Sequence, residues 1–374
     1  MLARDLLSRG HEVHLFCREV ETDPPDGLVV HRMPWMPLGA GTARLVFSAW
    51  ARREVQRVER RDGPFDVTQA FGRTIGQDVY RVGGGCHETY LEHAHGLHHP
   101  LWLRRVLKGA PLQRVKRHLE ERMLRGLPRP HVITNSEMSR DDLRHRYDLP
   151  DDHLHVVRNG IDLERFRPPQ PGEREAVRRV WGVGDDDPVV LFLGNGFSRK
   201  GLEVCLRALT VLRELRPDVR LVVGGHDRRA ARWQRLARRL DVTTSVVWLG
   251  AQVEPEACYR GADVYTLPTA YDPAANSTLE ALASGLPVVT TPMNGAAEIL
   301  QDGRHGTIIP TPVAPDELAH ALLGWLETPD REAVRKRART LAEHYPADIS
   351  CLSTLDVYRA VLEDRRHASG APTT

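Results

Sequence analysis

The chain has 374 residues, of which 41% are hydrophobic and 27% charged, and its formal net charge is +2 at pH 7. This length predicts two domains, the composition is that of a globular protein, and so small a net charge gives no general argument for nucleic-acid binding. The five cysteines are widely spread without metal-ligand spacing, which favours free thiols in a reducing compartment. Because the sequence shows neither a signal peptide nor an apolar run of about 18 residues, we expect a cytoplasmic protein with at most peripheral membrane contact.

The first half of the chain alternates short apolar strands with helices. Residues 1–9 predict an amphipathic helix that leads into a strand at 11–16. Further strands are predicted at 28–33, 65–70, 78–82, 131–135 and 153–158, with helices at 43–60 and 139–147. This alternation predicts a doubly wound parallel sheet.

The beginning of the sequence lacks part of this pattern. A helix that leads into a parallel strand is half of a βαβ unit, and the strand and loop that should precede residues 1–9 are missing. We expect their absence to leave neighbouring strands with unpaired backbone groups and to reduce folding or activity. A start codon assigned too late is the explanation we favour.

Residues 101–129 are strongly basic, with nine Lys or Arg residues against two acids and with apolar residues, including Trp102, at roughly helical spacing. A basic amphipathic helix with a Trp can lie on an anionic membrane surface. We therefore predict contact with the inner face of the cytoplasmic membrane. The alternative is a surface helix that packs its apolar face on the sheet while its arginines face water.

The best domain boundary lies at 158–175, where a turn is followed by a Pro- and Glu-rich stretch. A second alternation follows, with strands at 189–193, 220–223, 246–248, 262–267, 287–291 and 306–309, and helices at 202–215, 228–240, 254–259, 296–300, 315–326, 331–344 and 352–365. We predict an N-terminal Rossmann-like domain at 1–165, a second one at 166–345, and a last segment at 346–374. The helix of that segment is expected to return to the first domain, and the tail from residue 368 to be disordered.

Two segments of the second domain could bind an anionic ligand. The strand at 189–193 runs into a glycine-rich turn that carries Arg199 and Lys200, and such turns at strand carboxyl ends are where open α/β sheets bind ligands. The two cations can neutralise a diphosphate, although a glycine turn with two cations is common, and the spacing is not that of a Walker loop.

The second segment, 271–280, is a polar loop followed by a helix, with Asp272 on the loop and Glu280 in the helix. Helices usually open on Asn, Ser or Thr, and free amides at a helix start bind anions. Two carboxylates beside such amides suggest a nucleotide sugar. The alternative is an ordinary capped helix with an exposed Glu.

In the first domain, a triple glycine precedes His87, which could act as a base or orient a hydroxyl group. Five histidines cluster at 87, 93, 95, 98 and 99. Because none of their spacings with nearby glutamates matches a standard zinc motif, we predict no metal site there.

Together these features resemble the retaining glycosyltransferases of the GT-B architecture, family 4. The most specific match is 271–281, which is similar to the E-x7-E motif of the family; further matches lie at 196–201, 159–162 and 285–289. The stretch 76–87 is similar to the lipopolysaccharide inner-core glucosyltransferases, whose basic membrane-associating segment lies at about the place of 101–129. The resemblance implies two Rossmann-like domains that face each other across a cleft.

The resemblance also implies a role for each matching residue. Arg199 and Lys200 would bind the donor diphosphate and stabilise the leaving group, Glu280 would hold the ribose, and Asp272 would bind hydroxyls of the donor sugar. The family commonly has Glu at the place of Asp272. The remaining donor contacts would come from Gly196, Ala275, Asn276, Ser277 and Thr278.

On the acceptor side, the resemblance implies Asp78 and His87, the latter near the reacting carbon and counted with Arg199, Lys200 and Asp272 as catalytic. The predicted reaction is hexose transfer with retention and without a required metal or other cofactor. The leading hypothesis is transfer from UDP-glucose to a lipopolysaccharide core or a similar glycan. Two alternatives stay open: a nucleotide-sugar 2-epimerase, which needs no acceptor, and an inactive nucleotide-sugar-binding protein.

Overall fold

The computed structural model describes residues 2–20, 23–94, 110–251 and 254–368. The chain divides into two compact units, the first formed by Met1–Arg158 with Asp348–Thr374 and the second by Asn159–Ala347. The second unit begins earlier than the predicted residue 166 because the backbone of Ile161 bridges to Pro346 and donates to the carbonyl of Tyr345.

The first unit contains two parallel sheets. Its strands are β1 (Val13–Cys17), β2 (Leu28–Arg32), β3 (Gln69–Ala70), β4 (Val79–Val82), β5 (His131–Thr134) and β6 (Leu154–Val156). Its helices are α1 (Leu2–Ser8), α2 (Ala40–Asp62), α3 (His87–Ala94), α4 (Pro111–Arg125), α5 (Glu137–Tyr147) and, at the end of the chain, α14 (Ile349–Ala368).

The two sheets of the first unit are β1-β2 and β3-β4-β5-β6. Within the described residues, β1 pairs only with β2 and β3 only with β4. Side chains connect the two pieces, because the ring of Phe65 lies edge-on to those of His14 and Phe16, with centroids 5.1 and 6.1 Å apart.

Helix α14 belongs to the core of the first unit. Val357 and Val361 on this helix pack with Val79 and Ile133 of the four-stranded sheet. Arg81 of β4 also donates a hydrogen bond to the hydroxyl of Thr354.

The second unit contains one six-stranded parallel sheet in the order β12-β11-β10-β7-β8-β9. Its strands are β7 (Val189–Leu193), β8 (Arg220–Gly224), β9 (Val246–Gly250), β10 (Val264–Leu267), β11 (Val288–Thr290) and β12 (Gly306–Ile308). Its helices are α6 (Glu173–Trp181), α7 (Phe197–Lys200), α8 (Leu202–Leu215), α9 (Ala230–Arg239), α10 (Pro255–Gly261), α11 (Asn276–Ala283), α12 (Pro315–Leu326) and α13 (Arg331–Ala342).

The predicted parallel α/β architecture is confirmed, and one local prediction is wrong. The predicted helix at 296–300 is present as a 3-10 helix, Gly295–Ile299, that begins where the side chain of Asn294 accepts a hydrogen bond from the Ala296 amide. The stretch at 167–175, interpreted as part of the domain boundary, already contains the first turn of α6. This helix was missed because its inward-facing residues include a charged one, Arg178.

Arg178 is fully buried in the second unit and pairs with Asp263. Its guanidinium donates to one carboxylate oxygen of Asp263 over 2.7 Å, while Arg174 donates to the other over 2.7 Å. The amide of Val189 at the start of β7 also donates to Asp263, over 2.8 Å. Burial by itself raises the pKa of Asp263, but the two arginines outweigh it and hold that pKa below its usual value.

The described part of the basic segment, residues 110–129, contains α4, whose apolar side chains are buried or half-buried. Leu119, Met123 and Leu124 are buried, whereas Arg122 and Arg125 are exposed. This is the arrangement of a surface helix that packs on its own unit. Residues 101–109, including Trp102, and the tail from 369 lie outside the described residues. Of the helices the structure describes, none is long and apolar enough to span a bilayer.

Candidate donor site

The glycine-rich loop after β7 places Arg199 and Lys200 near the loop that follows the neighbouring strand β10. Gly196 and Gly201, on either side of the short helix α7, adopt positive φ angles of +74° and +87°, which favour glycine. A Cβ on Gly201 would lie 2.1 Å from the carbonyl oxygen of Pro268. Only glycine therefore allows the loop after β7 to approach the loop after β10 so closely.

Strands β7 and β10 are adjacent and parallel, and β8 lies on the other side of β7. The chain therefore leaves β7 toward one side of the sheet and later returns to its other side. Ligands of open α/β sheets bind at such a switch point, outside the carboxyl ends of the strands.

Arg199 and Lys200 converge on the carboxylate of Asp272 at this place. The same Asp272 oxygen lies 3.0 Å from Nη1 of Arg199 and 2.6 Å from Nζ of Lys200. Both Asp272 and Lys200 are only 8% exposed. Since these two cations share the one Asp272 carboxylate, positive charge is in excess at this point, and an anionic ligand is favoured there.

The backbone of Asp272 is fixed by the turn after β11. Its amide donates to the carbonyl of Met293 and its carbonyl accepts from the amide of Gly295, each over 2.8 Å. The buried side chain of Asn294 accepts a hydrogen bond from the Ala275 amide and donates to the hydroxyl of Thr278. Asn294 thus holds both the Asp272 loop and the start of α11.

Helix α11 begins without a side-chain cap. Its N-cap residue is Ala275, which makes no side-chain hydrogen bond, so the structure does not support an ordinary capped helix. The Asn276 side chain accepts from Asn159 over 2.7 Å, and the Ser277 hydroxyl lies 2.7 Å from that of Tyr265. Both polar side chains are thus engaged away from the first amides of the helix, which remain suited to an anion.

Glu280 lies one turn further along α11 and is partly buried. Its carboxylate accepts a hydrogen bond of 2.6 Å from the hydroxyl of Tyr259. Burial raises the pKa of Glu280, and the hydrogen bond from Tyr259 and the nearby Arg165 and Lys200 offset part of that effect.

His87 in the first unit is 3% exposed and begins α3. Its ring lies 2.8 Å from Oε1 of Gln113, and its amide donates to the buried Glu120 over 2.9 Å. Burial, reinforced by the positive charge of Arg73, lowers the pKa of His87 to about 4. The ring is therefore neutral at neutral pH.

Asp78 connects several elements of the first unit through hydrogen bonds and an ion pair. One carboxylate oxygen accepts hydrogen bonds of 2.7 Å from both the amide and the hydroxyl of Thr68. The other oxygen pairs with Arg365 of α14. These contacts hold β3, the start of β4 and the last helix together.

The two halves of the chain match two family models. Glycosyltransferase Family 4 matches residues 1–165, and Glycosyl transferases group 1 matches residues 173–341. The chain therefore carries a family 4 glycosyltransferase domain followed by a group 1 glycosyltransferase domain. The second match spans the whole cluster formed by Arg199, Lys200, Asp272 and Glu280.

Named relatives differ in how much of this glycosyltransferase they match. The lipopolysaccharide glucosyltransferase WaaG of Escherichia coli (strain K12) is 26% identical over 345 residues, or 91% of this chain and 88% of that protein. The D-inositol 3-phosphate glycosyltransferase 2 of Catenulispora acidiphila is 31% identical over 247 residues, or 63% of this chain and 57% of that protein.

Solved structures share the fold of this glycosyltransferase. The crystal structure of WaaG superposes with a TM-score of 0.80 at 23% identity and covers 96% of this chain and 94% of that one. The structure of HepE from Anabaena in complex with UDP-glucose has a TM-score of 0.68 at 17% identity and covers 93% of this chain and 99% of that one. The GT-B architecture predicted from the sequence is confirmed.

The sequence analysis missed three residues that position the cluster of Arg199, Lys200, Asp272 and Glu280, the candidate donor cluster. They are Asn294, which supports the α11 start, Tyr259, which binds Glu280, and Tyr265, which binds Ser277. Neither tyrosine has a chemical signature at the level of sequence, since Tyr265 lies in an apolar strand and Tyr259 in a short helix of mixed polarity. Asn294 lies four residues after β11 in a Pro- and Gly-containing turn, and that setting was the one available signal.

Proposed function

We propose that the chain is a retaining hexosyltransferase that transfers glucose from UDP-glucose to a lipopolysaccharide core or a similar glycan acceptor. The observation that carries the proposal is the convergence of Arg199 and Lys200 on Asp272 beside the uncapped start of α11. The similarity to a lipopolysaccharide glucosyltransferase and the HepE complex with UDP-glucose support the choice of donor and acceptor.

The electrostatics of the cluster suit a diphosphate leaving group. A glycosyl transition state resembles an oxocarbenium ion, and in transfer from a nucleotide sugar negative charge grows on the departing diphosphate. When the donor binds, its diphosphate takes Arg199 and Lys200 from Asp272, while the first amides of α11 add further donors. Preorganised positive groups of this kind stabilise the charge as it develops, so the proposed reaction needs no metal.

The release of Asp272 from its two cations leaves Asp272 and Glu280 with different roles. Once its cations bind the diphosphate, Asp272 can accept hydrogen bonds from hydroxyls of the donor sugar. Glu280, already oriented by Tyr259, accepts from the ribose. Gly196 and the backbone of Ala275 to Thr278 line the sugar and phosphate.

On the acceptor side, we assign His87 as a neutral hydrogen-bonding group near the reacting carbon, since its low pKa keeps it uncharged. Asp78 is assigned to the acceptor side as well, acting through the Thr68 and Arg365 contacts that shape the sheet edge. Retention follows from attack on the face that the diphosphate leaves.

A peripheral contact with the cytoplasmic membrane is also proposed, through the exposed arginines of α4. Since the apolar side chains of this helix are buried or half-buried, the contact would be electrostatic. Each basic residue near an anionic surface contributes about 1 kcal/mol.

Replacement of Asp272 by Asn separates the binding of the nucleotide from that of the sugar. The variant should bind UDP at least as tightly as the wild type, because Arg199 and Lys200 lose their intramolecular anion. It should lose most of the extra affinity for UDP-glucose over UDP, and transfer should fall. Calorimetric titration with both ligands measures the difference.

The matched variants for this titration are Asp272→Glu, which restores a carboxylate, and Asp316→Asn, which changes an exposed aspartate at the start of α12. Asp316→Asn should behave as wild type, and Asp272→Glu should recover part of the preference for UDP-glucose over UDP. A wild-type preference for UDP-glucose in Asp272→Asn would show that Asp272 does not contact the sugar.

The function itself is tested by incubating the full chain with UDP-, GDP- and ADP-sugars, with and without lipopolysaccharide core acceptors of increasing length. We expect glucose transfer from UDP-glucose that depends on the acceptor, with an α-linked product by NMR. Turnover of donor without acceptor would instead identify a 2-epimerase. Donor binding with no turnover under any condition would identify a binding protein.

A further inference from the structure

We propose that the first unit contains a binding site for a divalent transition metal, formed by His131, His153 and Asp364. One ring nitrogen from each histidine and one carboxylate oxygen lie within 4.8 Å of one another. Imidazole and carboxylate donors suit Zn²⁺ and related ions. The three residues come from β5, the turn before β6, and α14.

Two of the three donor atoms are already close to the spacing of a metal site. Nε2 of His131 lies 3.0 Å from Oδ2 of Asp364. In a tetrahedral zinc site with bonds of about 2.0–2.1 Å, neighbouring ligand atoms are roughly 3.3–3.4 Å apart. A metal ion can therefore replace the proton shared by His131 and Asp364 with little movement of either side chain.

The third ligand, His153, needs a change of ring orientation. Its ring stacks on that of His131 with centroids 4.4 Å apart and an interplanar angle of 16°. Because a metal bonds in the plane of an imidazole ring, the His153 ring must turn out of this stack for both histidines to bind one ion. Nδ1 of His153 lies 3.3 Å from the carbonyl oxygen of Pro130. Because a carbonyl only accepts, Nδ1 carries the hydrogen, and Nε2 keeps a lone pair for a metal.

His131 also has the outer partner that metal-binding histidines usually have. Its other nitrogen, Nδ1, lies 3.0 Å from Nε2 of His155. Such hydrogen bonds orient the ring and fix which nitrogen binds the metal. Asp364 and His153 are accessible to solvent, so an ion can enter, and water would complete its coordination.

A plain ion pair between His131 and Asp364 is the simpler account, but it assigns no role to the accessible His153 ring on the same cluster. The metal site would fasten the last helix of the chain to the four-stranded sheet. It lies in a different unit from the donor cluster, so it can exist whatever the outcome for the proposed function.

The test is a calorimetric titration of the chelator-treated full chain with ZnSO₄, repeated with Co²⁺, whose visible absorption reports tetrahedral coordination. We expect one bound ion per chain and a thermal unfolding temperature that rises with Zn²⁺ concentration. His153→Gln and Asp364→Asn, which change accessible side chains, should lose at least tenfold in affinity while their metal-free unfolding stays close to that of the wild type.

Two control variants separate this site from other zinc-binding groups. His145→Gln changes an exposed histidine of α5, and a triple replacement removes His95, His98 and His99, which lie outside the described residues. Both should keep the ion. Absence of binding to the wild type, or equal binding to His153→Gln and the wild type, would overturn the proposal.

Discussion

Replacement of Lys200 by Met is expected to reduce kcat for glucose transfer by about 10²–10³-fold, or about 2.7–4 kcal/mol, which is typical when one preorganised donor to a developing oxyanion is removed. Methionine keeps the aliphatic stem that packs against Gly194, so the loop after β7 should keep its conformation. Since Arg199 still pairs with Asp272, the loss reports the ammonium group itself. Steady-state kinetics with UDP-glucose and acceptor measure it.

Lys336→Met is the matched control, because Lys336 is an exposed lysine on α13 of the same unit. It should leave both kcat and KM unchanged. Glu280→Ala should also abolish transfer while the protein stays folded. Wild-type turnover by both the Lys200 and the Glu280 variants would contradict the assignment of the donor site.

Replacement of Asp263 by Asn is expected to destabilise the second unit by about 3–5 kcal/mol, the usual effect of removing one partner of a buried ion pair. The amide leaves the fully buried Arg178 without its counter-charge. It also places an NH₂ group near donors that now bind the carboxylate, including the Val189 amide. Chemical denaturation, with hydrogen exchange of β7 and β10 to assign the loss to this unit, measures the effect.

The difference in unfolding free energy between the wild type and Asp263→Asn should decrease as the pH falls. The folded pKa of Asp263 is lower than normal, so its contribution is fully present above the unfolded pKa of about 3.9 and is lost as the pH falls through the folded value. The gap between wild type and Asp263→Asn should therefore narrow in acid. Asp218→Asn, which removes an exposed ion pair with Arg216, should cost less than about 1 kcal/mol at any pH.

Local structure in the second unit followed closely from sequence patterns. The predicted bounds of β7 and α12 agree with the structure, because an unbroken apolar run and an amphipathic period are signals within a few residues. The glycines around Arg199 and Lys200 are likewise a local signal in the sequence, and they predicted a sharp turn. Where a buried charge interrupted the apolar face, as at Arg178 in α6, the same patterns failed.

Burial changed the interpretation of the first unit. In the sequence, Asp78 and His87 are two polar residues near a glycine-rich stretch. In the structure, the carboxylate of Asp78 holds Thr68 and Arg365, and His87 is a neutral ring against Gln113. Solvent exposure and hydrogen-bond partners depend on elements far away in the chain, and no local pattern encodes them.

The sequence alone determined the fold class, the family resemblance and the residue types of the donor cluster, because each depends on local periodicity or a short motif. Only the tertiary structure decided that Arg199 and Lys200 lie within 3.0 Å of Asp272 and that His131, His153 and Asp364 share one place. The physical reason is strand order. Adjacency of β7 and β10, and the return of α14 to the first unit, result from packing across long chain separations.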